Sequence, residues 1–164
     1  MFIEREPLAY FLTWVTYGSW LPGDRRGWTN GRSNHETPVW SENQRLSHFA
    51  KTLSSDKGVR LSRQHRRLVE KAFREVSQEK RWPLLAVNVR TNHVHSVIVS
   101  DQPPERVMTT LKAWASRRLN DEVGEKKKWW ARHGSTRYIN EQAALEAAIK
   151  YVLEQQDVKR EPHP

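Results

Sequence analysis

The sequence predicts an α+β fold, a ferredoxin-like split βαββαβ arrangement with an antiparallel sheet, helices on at least one of its faces and an additional C-terminal helix. Three observations carry this expectation. Short runs rich in β-branched and aromatic residues alternate with longer segments whose apolar residues recur at helical spacing. The order is strand, helix, strand, strand, helix, strand, helix, and the two central runs are separated only by Thr91-Asn92, a hairpin turn in which Asn tolerates positive φ.

Tyr10 to Tyr17 (Tyr-Phe-Leu-Thr-Trp-Val-Thr-Tyr) is aromatic and β-branched throughout and forms the first strand. From Gly18 to about Leu61 the chain carries Leu-Pro-Gly-Asp, Arg-Gly-Trp, Asn-Gly and Thr-Pro, the punctuation of turns, with room for one short helix in Ser41 to Leu53. An excursion of this length inside a small domain is an insertion with a functional or mobile character. Ser62 then caps a helix whose stripe is Leu68, Val69, Ala72, Phe73 and Val76, and which ends before Trp82-Pro83.

Leu84 to Arg90 and His93 to Ser100 form the hairpin strands, and Pro103-Pro104 opens the second helix. Its stripe is Val107, Met108, Leu111, Trp114 and Ala115, and its exposed side is basic through Lys112, Arg117 and Arg118. A cationic, tryptophan-bearing loop over 126–134 precedes a last short strand, Ser135 to Ile139. Asn140 is the expected cap of the third helix, which runs from Glu141 to about Gln156.

At 164 residues, with no run long and apolar enough to span a bilayer, the chain reads as a single domain. Met-Phe-Ile-Glu-Arg-Glu lacks the layout of a secretory signal, so the expected location is the cytoplasm. The absence of cysteine excludes disulfides, thiolate nucleophiles, iron–sulfur clusters and sulfur-ligated zinc. Lys and Arg number 28 against 19 Asp and Glu, a formal charge of +9, which favours a polyanionic partner. Eight tryptophans either fill the core or stack on exposed bases.

The chemistry concentrates in two places. On a strand, residues two apart face the same way, so His93 and His95 present both imidazoles to one side, near enough to share an ion or to stand as ordinary surface histidines. A two-residue turn sets Arg90 opposite His93 and Asn88 opposite His95 on that face, while Val87, Val89, Val94 and Ile98 form the buried face. On the last helix the core stripe is Leu145, Ala148, Ile149, Val152 and Leu153. At 100° per residue Tyr151 falls outside it, sharing a flank with Gln155 that Ala144 and Ala147 leave low.

The hairpin Thr-Asn-His93-Val-His95-Ser-Val-Ile-Val resembles the Asn-His-Val-His signature of the REP-associated tyrosine transposases, relatives of the single-tyrosine HUH transposases of insertion sequences. The helix containing Leu111, Lys112, Trp114, Arg117 and Arg118 is similar to the helix after the HUH strand of that family. Tyr151-Val152 is similar to its Tyr-Ile, and Gln155 falls where the family has Asn or Gln. The likeness runs from about Tyr10 to Lys159. The chain departs from the common pattern at Thr91 and Ser96, where the family has Pro and Leu, and after the tyrosine, where Tyr-Ile-x-x-Asn-Pro-Val becomes Tyr-Val-Leu-Glu-Gln-Gln-Asp-Val.

The resemblance implies His93, His95 and Gln155 as ligands of Mg²⁺ or Mn²⁺, and Tyr151 as the nucleophile of a single-strand DNA nicking and rejoining reaction through a 5′-phosphotyrosine. The implied substrate is single-stranded or hairpin DNA of the repetitive palindromic kind. Its phosphates would be held by Lys112, Arg117, Arg118 and the run Lys126, Lys127 and Lys128, a run that reads equally as a solvated loop; Trp129 or Trp130 would stack on a base, and Asn88 and Arg90 are further DNA-binding candidates. No membrane is implied, and either a monomer or a homodimer is compatible. A non-catalytic nucleic-acid-binding module on the same fold would carry the same charge. A hydrolase that activates water would need carboxylates beside the histidines, and the hairpin has none.

Overall fold

A computed structural model describes residues 6–19 and 58–155; the short helix expected in Ser41 to Leu53 lies outside them. The elements are β1 (Ala9–Thr16), α1 (Arg63–Lys80), β2 (Leu84–Val89), β3 (His93–Ile98), α2 (Pro104–Val123), β4 (Trp130–Ile139) and α3 (Gln142–Lys150), followed by one π-helical turn, Tyr151–Gln155. The sheet order is β2-β3-β1-β4 with every neighbouring pair antiparallel, the split βαββαβ topology that the pattern of periods predicts.

Alternation along the strands divides the sheet into two faces. Tyr10, Leu12 and Trp14 of β1 and Val94 and Ile98 of β3 pack under α1 and α2, which bring in Val69, Ala72, Phe73 and Val76, and Val107, Leu111, Ala115 and Leu119. Trp14 sits edge-on to Phe73 at 5.6 Å and to Trp130 at 6.1 Å. Burial of such side chains contributes about 1.5–3 kcal/mol each, which makes this the main core. The opposite face carries a smaller cluster of Ala9, Ala86, Val97, Ile139 and Val152, covered in part by Leu145, Ala148 and Ile149 of α3. The C-terminal helix therefore lies over the face that bears the histidines.

α1 begins as expected, with Ser62 Oγ accepting the His65 amide hydrogen, and ends at Arg81 in the left-handed region. Three expectations need correction. First, the last strand starts at Trp130, five residues earlier than its charge suggested. β4 is an edge strand, so Arg132, His133, Arg137 and Tyr138 point to water without cost. Second, Asn140 does not cap α3; Glu141 holds the cap position and makes no side-chain cap bond. Third, α3 closes at Lys150, and the chain continues as a π turn, which advances fewer degrees per residue. Leu153, expected in the core stripe, is 52% exposed in this turn, and Tyr151 packs against the small cluster.

The edges of the long excursion return to one another. Thr16 Oγ1 lies 2.7 Å from Ser19 Oγ and donates to the Val59 carbonyl at 2.6 Å, and the Val59 amide donates to the Tyr17 carbonyl. Thr16 N–H donates to the Asn92 carbonyl and Leu61 N–H to that of Thr91, so the base of the excursion is tied to the β2–β3 turn.

Candidate active site

The two-residue turn sets the register that the site depends on. Asn88 pairs with His95 and Val89 with Val94, and the Arg90 amide donates to the His93 carbonyl. On the other side of β3, Thr13 pairs with His95 and Val15 with His93. His93 and His95 therefore share the face under the C-terminal turn, with ring centres 5.0 Å apart and planes at 86°.

Each imidazole is held at Nδ1. His93 Nδ1 lies 2.8 Å from Asn92 Oδ1, and His95 Nδ1 lies 3.0 Å from Thr13 Oγ1. An oxygen at Nδ1 suits the tautomer with hydrogen there and leaves the Nε2 lone pair as the donor, the arrangement in which histidine ligates metals. Among the described residues no group of three or more His, Cys, Asp or Glu side chains is placed to hold an ion. A cation between the two histidines would thus complete its shell from amide, water or substrate oxygen, a mixed set that suits Mg²⁺ or Mn²⁺.

Tyr151 completes an aromatic cluster over this pair. Its ring centre is 5.8 Å from that of His95 and 6.1 Å from that of Phe11, edge-on in both cases, while Phe11 stacks on His95 at 5.7 Å with the planes 18° apart. Tyr151 is half-buried. Gln155 belongs to the same π turn by its backbone.

The expected DNA-contacting residues are distributed unevenly. Lys126, Lys127 and Lys128 are exposed; Lys128 Nζ stands 4.9 Å over Tyr17, at the end of the sheet where His93 lies, and Lys127 Nζ stands 5.0 Å over Trp129. Arg90 is partly buried on the histidine face of the hairpin. Arg117 and Arg118 are on α2, across the sheet from the histidines; Arg117 covers Trp114, and Arg118 is paired with Glu75 at 2.6 Å.

Three assignments are corrected. Trp129 and Trp130 are only 2% and 7% exposed, and their indole N–H groups donate to Asn120 Oδ1 and the Lys112 carbonyl, so neither offers a face to a base. Lys112 is not a free phosphate ligand: its Nζ donates to the Ala131 and His133 carbonyls at 3.0 and 3.4 Å. Those carbonyls occur where the β1–β4 register breaks between Trp14 and Thr16, and the ammonium satisfies groups that the ladder leaves over. Desolvation lowers the Lys112 pKa to about 8. Asn88, finally, spends its amide inside the protein, donating to the Val152 carbonyl at 2.9 Å.

Sequence reasoning did not single out Thr13 and Phe11. Their alternation with Leu12 and Trp14 marked them as the second face of β1, but only the β1–β3 register reveals that this face meets His95.

The chain belongs to the IS200-like transposase family: residues 39–155 match the family model described as "Transposase IS200 like". It is similar in structure to a REP-associated tyrosine transposase solved bound to a REP hairpin, with a TM-score of 0.48 and 13% identity over 100% of this chain and 88% of the other. It is similar also to a protein of Deinococcus radiodurans R1 assigned as a transposase, with a TM-score of 0.45 and 13% identity over the whole of both chains. No curated protein sequence matches. Among the described residues no helix is long and apolar enough to cross a membrane.

Proposed function

We propose that this transposase, a single domain with an insertion at about 18–61, nicks and rejoins single-stranded DNA beside a hairpin by transesterification through Tyr151, in the cytoplasm. The observation that carries the reading is the edge-on contact of Tyr151 with His95, which shares its face with His93, both histidines having an oxygen at Nδ1. His93 and His95 would hold a divalent cation, with Gln155 as the candidate third ligand. Mg²⁺ or Mn²⁺, when bound, supplies charge neutralisation at the scissile phosphate.

Tyr151 Oη loses its proton to solvent or to a base and attacks phosphorus. The Oη–P bond forms as the bond to the 3′ oxygen breaks, and that oxygen leaves as a 3′-hydroxyl after taking up a proton. One phosphoester replaces another, so a second DNA 3′-hydroxyl can reverse the step without ATP. Phe11 and His95 limit the swing of the phenol, which serves the near-attack geometry. Lys126, Lys127 and Lys128 and Arg90 are the cations we assign to phosphates near the site, and Arg117 and Arg118 to a DNA segment reaching the other face.

The reading is tested by incubating the protein with single-stranded hairpin DNA and Mn²⁺ and resolving the products under denaturing conditions. A protein–DNA adduct is expected, lost in Tyr151→Phe and in the His93→Ala, His95→Ala double variant. Undiminished adduct in either variant would overturn the assignment that it removes. Tight binding of a panel of hairpins with no adduct from any would favour a non-catalytic binding module instead.

A further inference from the structure

We infer that Asn88 is a positioning residue that fixes the height and phase of the tyrosine turn above the histidines, an inference that rests on Tyr151 being the nucleophile. The β2–β3 register puts Asn88 directly beside His95 on the same face of the sheet. From there its Nδ2 reaches up and donates to the backbone carbonyl of Val152 at 2.9 Å. Val152 is the residue after Tyr151 and is itself fully buried in the small cluster of that face. One side chain therefore links the strand pair carrying the histidines to the peptide that follows the tyrosine.

The link falls where the helix needs support. At Tyr151 the chain passes from α to π geometry, with the Tyr151 amide directed at both the Ala147 and Ala148 carbonyls. A single π turn holds its backbone groups out of the regular i→i+4 ladder and persists where its surroundings favour it. α3 gives little help, since none of its residues is fully buried. Val152 supplies the apolar anchor of the turn, and Asn88 supplies its polar one. Without that link the peptide between Tyr151 and Val152 loses its polar tie to β2, and Tyr151 is free to move off the His95 and Phe11 rings. The Asn88 amide is thus committed to the protein backbone, and its role toward DNA is indirect.

The test uses the full chain labelled with 3-fluorotyrosine, whose four tyrosines give four ¹⁹F signals, that of Tyr151 being identified by its loss in Tyr151→Phe. Asn88→Leu keeps the branching at Cγ and removes the donor, and Asn88→Ala serves if the larger leucine does not fold. The variant is expected to shift or broaden the Tyr151 signal while those of Tyr10, Tyr17 and Tyr138 stay in place. Single-turnover adduct formation should slow at least ten-fold, with the half-saturating DNA concentration unchanged. An unmoved Tyr151 signal with a raised DNA half-saturation would overturn the inference and make Asn88 a DNA ligand; unchanged signal and rate would overturn it as well. Full adduct formation by Tyr151→Phe would instead refute the nucleophile assignment, a result that the ¹⁹F readout of the turn does not depend on.

Discussion

Replacing Thr13 by valine should weaken binding of the cation proposed for His93 and His95 without disturbing the fold. Valine is close to threonine in shape and suits a strand, so β1 retains its pairing with β3 and β4. What disappears is the oxygen 3.0 Å from His95 Nδ1. The imidazole then has no side-chain oxygen from β1 to fix its tautomer, although Phe11 still stacks on its face. Loss of a partner of this kind typically costs 10–100-fold in metal affinity, about 1.4–2.7 kcal/mol. Mn²⁺ titration followed by electron paramagnetic resonance measures the effect directly, with thermal unfolding as the control for the fold. The reasoning is refuted if Thr13→Val binds Mn²⁺ as wild type does, because His95 would then need no orienting oxygen.

Two further outcomes follow from the packing around the site. Gly134→Ala places a methyl carbon 2.6 Å from the Thr13 carbonyl oxygen and 2.8 Å from Met108. Because a backbone atom must yield, we expect destabilisation of about 2–3 kcal/mol and a fall in Tm of roughly 5–10 °C, read by thermal unfolding; a change within 1 °C would contradict the close approach of β1 and β4. Lys112 titrates near 8 in the native chain, below its ordinary 10.5, so between those values the unfolded chain holds a proton that the native chain has released. Stability should therefore rise with pH across that window, by about 1–2 kcal/mol after solvent screening of its exposed part, and Lys112→Met should remove the rise in urea unfolding at pH 8 and pH 10.

Most of the fold was legible in the sequence because its signals are local. The 3.6-residue stripe of Val69, Ala72, Phe73 and Val76 and the two-residue Thr91-Asn92 turn each determine their element without reference to the rest of the chain. The turn also fixed which residues of the hairpin share the histidine face. The start of β4 was hidden because an edge strand tolerates Arg132 and His133 pointing outward, so its composition reads as a loop. The helical period sets Tyr151 apart from the core stripe, but its place beside His95 involves contacts of Phe11 with its ring and of Asn88 with the Val152 carbonyl, both from distant strands. The same holds for Trp129, Trp130 and Lys112. Their residue types suit DNA, and only the break in the β1–β4 register shows that they close the protein's own edge.

The central claim is that Tyr151 becomes covalently linked to DNA. The most direct measurement is mass spectrometry of the adduct formed with hairpin DNA and Mn²⁺ after nuclease and trypsin digestion, since cleavage after Lys150 and Lys159 releases the nine-residue peptide 151–159. A 5′-linked nucleotide phosphate on the tyrosine of that peptide is expected. A nucleotide on Tyr10, Tyr17 or Tyr138, or cleaved DNA with no modified peptide, would contradict it.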